Sequence, residues 1–408
     1  MGASARYATP PGTARAQRGH RTLRRDLRVP RRWRPPDGFA GEQGRLTSLL
    51  AGHLKLPVPW RRDISDARRH PARLSGCDRA LVNERGCVIT GWGSALPPLI
   101  VTNADLVSIL ETSDEWIVER SGVRARRAAT GPFVSPAPAL IPPAGLGTTA
   151  TLAIEAGRQA LESAGAEAGE IGFLVLCTST PDQVMPATSA AVAGALGITG
   201  GAVDVNAACA GFSYGLITAA GIVATGATKV LLIGADTMTR TLNWEDRTNA
   251  FLFGDGAGAV VLEAVDGPGS LLGWDVGVDG TLVELLYVDH GSGMVMRGQE
   301  VFRRAVRATV DSANAALRLA GVCAEEIVLF IPHQANQRIM EAIAERLGVP
   351  NERIASVVDW TGNTSSASIP LALVQAIAQD RLHPGDPVLF AGFGAGMTWA
   401  SVVWRWGV

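Results

Sequence analysis

Two stretches of the chain repeat one another at a fixed distance, and that repeat limits the folds open to the rest. Residues 160–176 read ALESAGAEAGEIGFLVL and residues 316–332 read ALRLAGVCAEEIVLFIP, with seven of 17 positions identical, without gaps, at an offset of 156. A second pair, Val230–Gly234 and Val388–Gly392, follows at an offset of 158. Each copy of the first pair joins an Ala-rich helical run to a continuous apolar run of strand length. Chance likeness between two Ala-rich units is the competing explanation, but two matches in the same order at nearly one offset point to a duplicated α/β unit. Shifting Cys209 by 156 lands inside Gly362-Asn363-Thr364-Ser365-Ser366, so the halves would carry Cys209 and the Asn363 segment at equivalent helix starts. Two such N-termini related by a two-fold axis would converge on one site.

The remaining pattern fits α/β layers. Residues 87–93 read as a strand, 103–121 as a helix with Asn103 as its cap, and 149–165 as a helix ending at Gly165. Residues 131–147 hold five Pro and no charge, and read as a loop. Residues 171–178 are a buried strand, and helix and strand alternate from there to the C-terminus. The expected division is a first half over 86–265, carrying Cys209, and a second over 266–408, carrying His333 and Asn363. Apolar residues make up 47% and charged residues 18% of the chain, a globular balance. No apolar run reaches the roughly 18 residues of a membrane span, and no apolar signal-peptide core is present. Five cysteines, scattered and without a CxxC pair, argue against a disulfide framework or a zinc site and point to a reducing cytoplasm.

Three residues stand out chemically. Cys209 lies in Asn206-Ala207-Ala208-Cys209-Ala210-Gly211-Phe212, between an apolar strand-like stretch and a long uncharged helical one. A helix N-terminus favours thiolate, the form that attacks a thioester; the plainer reading is a small buried core cysteine. His333, in Pro332-His333-Gln334-Ala335-Asn336, directly follows an apolar strand and is as readily structural as catalytic on that ground alone. Asn363 suits a helix N-cap, and its side-chain N–H also suits a developing oxyanion. The Gly-rich segment Gly254-Asp255-Gly256-Ala257-Gly258 lies between Phe251-Leu252-Phe253 and a strand Ala259–Leu262, which does not fit a nucleotide fingerprint before a helix. Gly392-Phe393-Gly394-Ala395-Gly396 allows close backbone approach and the supply of an amide.

Taken in order, these segments resemble the β-ketoacyl-acyl-carrier-protein synthase III family of thiolase-like condensing enzymes. The resemblance runs from about Gly86 to Val408. It adds Thr112-Ser113-Asp114-Glu115-Trp116-Ile117-Val118-Glu119-Arg120 to the motifs around Cys209, Gly254, His333, Asn363 and Phe393. It implies a duplicated, five-layered αβαβα fold and a Cys209–His333–Asn363 triad. The backbone N–H groups of Cys209 and Ala395 would form an oxyanion hole. Coenzyme A would lie on Trp116, Arg120, Arg247, Asn336 and Arg338, and the acyl group among Met185, Phe302 and Phe393. Acyl carrier protein would meet Gln334, Ala335, Asn336, Gln337, Arg338, Arg303, Arg304 and Arg346. The implied partners are acyl carrier protein, acyl-coenzyme A and a second copy of the chain. No permanently bound cofactor, metal, nucleic acid or membrane is implied, and the coenzyme A thioester enters as substrate. Ala395 replaces a Gly usual in the family, which leaves the backbone donor in place. Met185 stands where many acetyl-preferring members have Phe, which implies a longer or branched primer. The stretch from Leu286 to Arg297 is shorter than usual. A plain acyltransferase and a silent partner subunit are the alternatives; intact His333 and Asn363 argue against the first, and Cys209 against the second.

The resemblance leaves out residues 1–85. They hold 18 Arg and 1 Lys against 7 acidic residues, a balance of +12, which leaves −13 for the remainder of a chain with net charge −1. Arg clusters and Pro pairs without apolar periodicity cannot bury enough surface to offset ordering entropy. A nucleic-acid or membrane arm lacks a recognisable domain, and a transit peptide should be richer in Ser than these four. The favoured expectation is a disordered extension, or sequence translated upstream of a start near Val82 or Val88. Mass spectrometry of the native N-terminus checks this. A chain beginning near Val82 or Val88 is the outcome of the mis-started reading, and a mass that includes the first residues leaves the extension.

Overall fold

Helices, several of them stopped by a left-handed Gly, and strands alternate through the described part of the chain. The computed structural model describes residues 85–132 and 147–407; the basic arm and most of the expected 131–147 loop lie outside these residues. Strand β1 (Arg85–Ala95) comes first. A short pair, β2 (Ile100–Thr102) and β3 (Ala125–Arg127), brackets α1 (Asn103–Val107) and α2 (Asp114–Ser121). There follow α3 (Thr149–Ala164), β4 (Phe173–Cys177), α4 (Thr188–Leu196), β5 (Gly201–Val205), α5 (Gly211–Ala224), β6 (Lys229–Thr237) and β7 (Asp255–Asp266). The next run holds β8 (Leu271–Val278), the short β9 (Leu286–Tyr287) and β10 (Val295–Met296), α6 (Gly298–Ala320), β11 (Leu329–Pro332) and α7 (Gln337–Leu347). The single turn α8 (Val358–Thr361), α9 (Ser368–Ala378), β12 (Pro387–Gly394) and β13 (Thr398–Arg405) complete it.

Two sheets of like topology result. The first has the order β1-β7-β6-β4-β5, with β6, β4 and β5 parallel and β1, β7 and β6 antiparallel in turn. The second has the order β8-β13-β12-β11, with only β11 and β12 parallel. An isolated parallel bridge, Phe330 to Ile354, stands where a fifth strand would lie. Helices α5 and α9 pack between the sheets, α3 and α4 cover the first sheet from outside, and α6 and α7 cover the second. The fold is therefore thiolase-like, in five layers α-β-α-β-α. Composition follows position. The inner helices, GFSYGLITAAGIVA and SIPLALVQAIA, carry no charge, as a helix sandwiched between two apolar sheets requires. The outer α3 and α6 are amphipathic.

The repeat seen in the sequence is a structural one. Ala160 and Ala316 each lie against a strand glycine, Gly91 and Gly273. A Cβ on either glycine would meet the helix carbonyl at 2.4 Å. Both helices end on a left-handed Gly, Gly165 and Gly321. The 3-10 turns Ala208–Ala210 and Ser365–Ala367, which lead into α5 and α9, stand 157 residues apart.

Two local expectations are corrected. The helix expected over 103–121 is two helices, because Thr102 and Ser113 each cap a separate start through bonds to Asp105 N and Trp116 N. Asn103 is not the cap but a buried linker, donating to Asp114 Oδ1 (2.7 Å) and Val123 O (2.9 Å). The Gly-rich segment Gly254–Gly258 falls mostly in the start of β7, whose Asp255 accepts from Thr239 and Ala129. Burial raises the Asp255 carboxyl to about 6, against those hydrogen bonds.

The β2–β3 lobe is fastened to the body by a fully buried guanidinium. Arg126 donates to Val101 O (3.2 Å), Asn103 Oδ1 (2.9 Å) and Phe251 O (2.7 Å). Burial lowers its pKa to about 10, with Asp105 and Asp114 opposing. Replacing it with an isosteric apolar chain would leave the buried Asn103 Oδ1 and Phe251 O without this donor, each costing about 1–3 kcal/mol. Arg126→Met is expected to destabilise the protein by at least about 2 kcal/mol, read as a lowered urea midpoint.

Candidate active site

Each 3-10 turn before an inner helix begins with a residue in the left-handed region, Ala208 (φ 46°) and Ser365 (φ 51°). That conformation is costly without Gly and is held here by matching contacts. Asn206 Oδ1 accepts from Ala208 N (3.1 Å), and Asn363 Oδ1 accepts from Ser365 N (2.9 Å). Asn206 and Asn363 are thus equivalents in the two halves. Asn363 is not the N-cap expected of it, since Thr364 precedes the turn and Ala367 precedes α9; its oxygen instead accepts from Ser365 N, its amide nitrogen has no hydrogen-bond partner among the described residues, and the residue lines a cavity.

The two turns face each other across the halves, and glycines make this possible. A Cβ on Gly234 of β6 would meet Ser366 O at 2.3 Å, and one on Gly392 of β12 would meet Ala210 Cα at 2.8 Å. A Cβ on Gly394 would meet Cys209 N at 2.5 Å, so only Gly lets the end of β12 lie against the candidate nucleophile. The buried carboxylate of Asp236 joins the halves. Its Oδ1 accepts from Thr178 Oγ1, Ser179 N, Ser179 Oγ and Thr180 Oγ1, and its Oδ2 from Ser366 N at 2.9 Å.

Cys209, His333 and Asn363 line one cavity of about 760 Å³. All three are buried, at 7%, 7% and 6% exposure. His333 follows β11, its Nδ1 2.7 Å from Ser368 Oγ. Burial lowers its pKa to about 3, so the imidazole is neutral. The expected thiolate at Cys209 is not what the resting protein holds. Burial raises the thiol to about 12, overcoming the Ser365 hydroxyl that bonds the sulfur. Ser365 in turn meets Ser179 Oγ at 3.1 Å.

The other expected residues divide by place. Arg120, Phe302, Arg303, Ala335, Asn336, Arg338 and Phe393 line the cavity with the central three. At its mouth the guanidinium groups of Arg120 and Arg247 lie 4.8 and 5.1 Å from the Trp116 ring. Asn336 caps α7 and donates to Arg120 O (2.8 Å). Ala395 follows β12, and Thr398 Oγ1 ties its carbonyl to that of Ala207. Arg303, Arg304, Arg338 and Arg346 are exposed on α6 and α7, without ion pairs among the described residues.

Three placements correct the sequence reading. Gln334 cannot meet a carrier protein, being fully buried: it donates to Pro332 O and Ala355 O and accepts from Val357 N. Gln337 has its amide engaged with Glu341 and Ser356. Met185 is 79% exposed and does not line the cavity of its own chain, because the loop before α4 carries it outward. Ser365, Ser368 and Thr398 were missed; the equivalence of Ser365 with Ala208 was the available signal. Leu286, Met296, Val301, Ile339 and Ile343 complete an apolar wall that no motif revealed.

A largely apolar pocket with a thiol, a neutral imidazole and an amide nitrogen without a partner among the described residues suits thioester chemistry, in which a soft nucleophile takes an acyl group and neutral donors hold an oxyanion. On the five-layered duplicated fold, this defines the thiolase-like condensing enzymes. Family models described as 3-oxoacyl-[acyl-carrier-protein (ACP)] synthase III and its C-terminal part match residues 203–280 and 317–406. Beta-ketoacyl-[acyl-carrier-protein] synthase III of Roseiflexus sp. (strain RS-1) is 45% identical over 335 residues, covering 78% of this chain and 98% of the relative. The crystal structure of 3-oxoacyl-[acyl-carrier-protein] synthase III from Aquifex aeolicus VF5 matches with TM-score 0.73 and 38% identity, over 79% of this chain and 100% of that one. The priming beta-ketosynthase of the R1128 polyketide pathway matches with TM-score 0.71 and 35% identity, over 79% of this chain and 97% of that one. The chain belongs to the β-ketoacyl-acyl-carrier-protein synthase III family of condensing acyltransferases.

The burial of Cys209 has a measurable consequence. Alkylation by iodoacetamide in the ligand-free protein is expected to rise about tenfold per pH unit between pH 7 and 9, without the plateau of an activated thiolate. Mass spectrometry of the Cys209 peptide gives the rate. Linkage adds two signs. The unfolded thiol loses its proton above 9.0 while the folded one keeps it to about 12, so stability declines as pH rises through that window. The unfolded imidazole gains a proton below 6.5 while buried His333 does not until about 3, so stability declines as pH falls through that one.

Proposed function

We propose that the chain joins an acyl-coenzyme A primer to malonyl-acyl carrier protein, giving 3-oxoacyl-acyl carrier protein through an acyl group on Cys209. The observation that carries this is the convergence of Cys209, His333 and Asn363 on one cavity. In the first half-reaction the Cys209 sulfur attacks the primer's thioester carbonyl. The backbone N–H groups of Cys209 and Ala395 hold the oxyanion, and the thiol proton leaves with the coenzyme A sulfur. In the second, His333 Nε2 and Asn363 Nδ2 donate to the thioester oxygen of the malonyl group. The carbon–carboxylate bond breaks, carbon dioxide leaves, and its electron pair becomes the enolate. The enolate carbon then attacks the acyl carbonyl, and the Cys209 sulfur departs as a thiolate that takes a proton from water to restore the thiol. Two neutral donors strengthen as charge develops and need no metal or resident cofactor.

Trp116, Arg120 and Arg247 sit where they would take the adenine and phosphates of coenzyme A, with Asn336 and Arg338 along the arm. Arg303, Arg338 and Arg346, exposed and without ion pairs among the described residues, suit an acidic carrier protein. Phe302 and Phe393 belong to the acyl wall. Starting fatty acid chains is the reading the synthase III relatives favour, and the priming ketosynthase supports polyketide priming. A homodimer is supported by exposed Val184, Met185 and Val203, the last on the edge strand β5. Met185 would reach an acyl pocket only across that dimer. Four free cysteines among the described residues suit a cytoplasmic setting, and no described helix is long and apolar enough to cross a membrane.

Radiolabelled acyl-coenzyme A is expected to label the protein, and Cys209→Ser to abolish the label; label surviving elsewhere refutes the mechanism. His333→Ala and Asn363→Ala are expected to keep acylation and lose roughly 10²- to 10³-fold in condensation, measured with malonyl-acyl carrier protein across a panel of primers.

A further inference from the structure

The neutral imidazole of His333 carries one N–H, and its two possible roles require opposite tautomers. A base toward Cys209 needs a bare Nε2, whereas a donor to a thioester oxygen needs Nε2–H. We propose that Ser368 is the positioning residue that decides between them, donating its hydroxyl proton to His333 Nδ1 so that Nε2–H is presented to the cavity. Resting on the condensation above, this adds how the histidine is held in its working form.

Hydrogen-bond accounting carries the assignment. Ser368 opens α9 and is fully buried. Its hydroxyl has one hydrogen-bond partner among the described residues, His333 Nδ1 at 2.7 Å. Were Nδ1–H the donor, the buried Ser368 hydrogen would have no acceptor, and an unpaired buried donor is unfavourable. With the hydroxyl donating, both groups are satisfied and the ring proton must reside on Nε2. Among the described residues His333 Nε2 makes no hydrogen bond, and the residue lines the cavity beside Asn363. The same turn thus supplies Asn363 directly, bonds the Cys209 sulfur through Ser365, and orients His333 through Ser368. A histidine so held is a poor base for the thiol, which agrees with the thiol proton leaving on coenzyme A.

The test is an NMR measurement on the full-length protein with ¹³C,¹⁵N-labelled histidine, the His333 signals assigned by their loss in His333→Gln. The Nε2–H tautomer is expected in the wild type and in Ser368→Thr, and a mixture in Ser368→Ala. Malonyl-acyl carrier protein decarboxylation by Ser368→Ala should fall at least about tenfold more than acylation of Cys209, and Ser368→Thr should recover it. An Nδ1–H tautomer in the wild type overturns the proposal, as does an equal fall of both half-reactions. If Ser368→Ala does not fold, the wild-type tautomer alone decides. A wild type with the expected tautomer that takes no acyl label would instead refute the condensation reading, so the two failures are separable.

Discussion

The carboxylate of Asp236 lies at the end of β6, wholly buried, and accepts hydrogen bonds from Thr178, Ser179 and Thr180 of one half and from Ser366 N of the other. Everything at the site depends on that junction. A buried charge is tolerated only when its lone pairs are filled, and stripping its partners typically costs about 3–5 kcal/mol. Here the filling groups come from both copies of the duplicated unit. The carboxylate therefore stabilises the fold only when the two halves are in register, and that register sets the Ser365 turn against Cys209. Gly234 and Gly392 remove the side chains that would hold the turns apart.

Burial governs the chemistry of what converges there. A helix start, taken alone, argues for a thiolate at Cys209. The surroundings are apolar enough that desolvation overrides it, and the same surroundings keep His333 neutral. The resting site is thus an uncharged set of donors and one thiol. Such a set binds neutral thioesters without competing ions and strengthens its hydrogen bonds as an oxyanion forms. Among the residues that line the cavity, the charged ones are Arg120, Arg303 and Arg338, which are exposed to solvent.

Much of this was readable in the chain because duplication leaves a trace in spacing. Ala160 and Ala316 align in the sequence and serve the same close helix–strand contact in space. The sequence offset of 156, which set Cys209 against Ser365, is one short of the structural one: Ala208 is the equivalent of Ser365, both left-handed and both held by an Asn two residues earlier. The expected single helix over 103–121 failed because capping residues inside an amphipathic pattern are hard to distinguish from surface polar ones. Gln334 was misread for a related reason. An amide beside a candidate histidine looks accessible in a sequence, but its three hydrogen bonds to distant backbone exist only after folding.

The sequence by itself determined the duplicated α/β class, the family, and the identity of the thiol, imidazole and amide at the centre, since periodicity, offset and ordered motifs are properties of the chain. Only the tertiary structure decided their state and company. Protonation depends on desolvation, which is a sum over neighbours brought together from both halves. The same holds for the removal of Met185 from its own chain's cavity and for the recruitment of Ser365 and Ser368, whose partners lie 35 residues or more away in the chain.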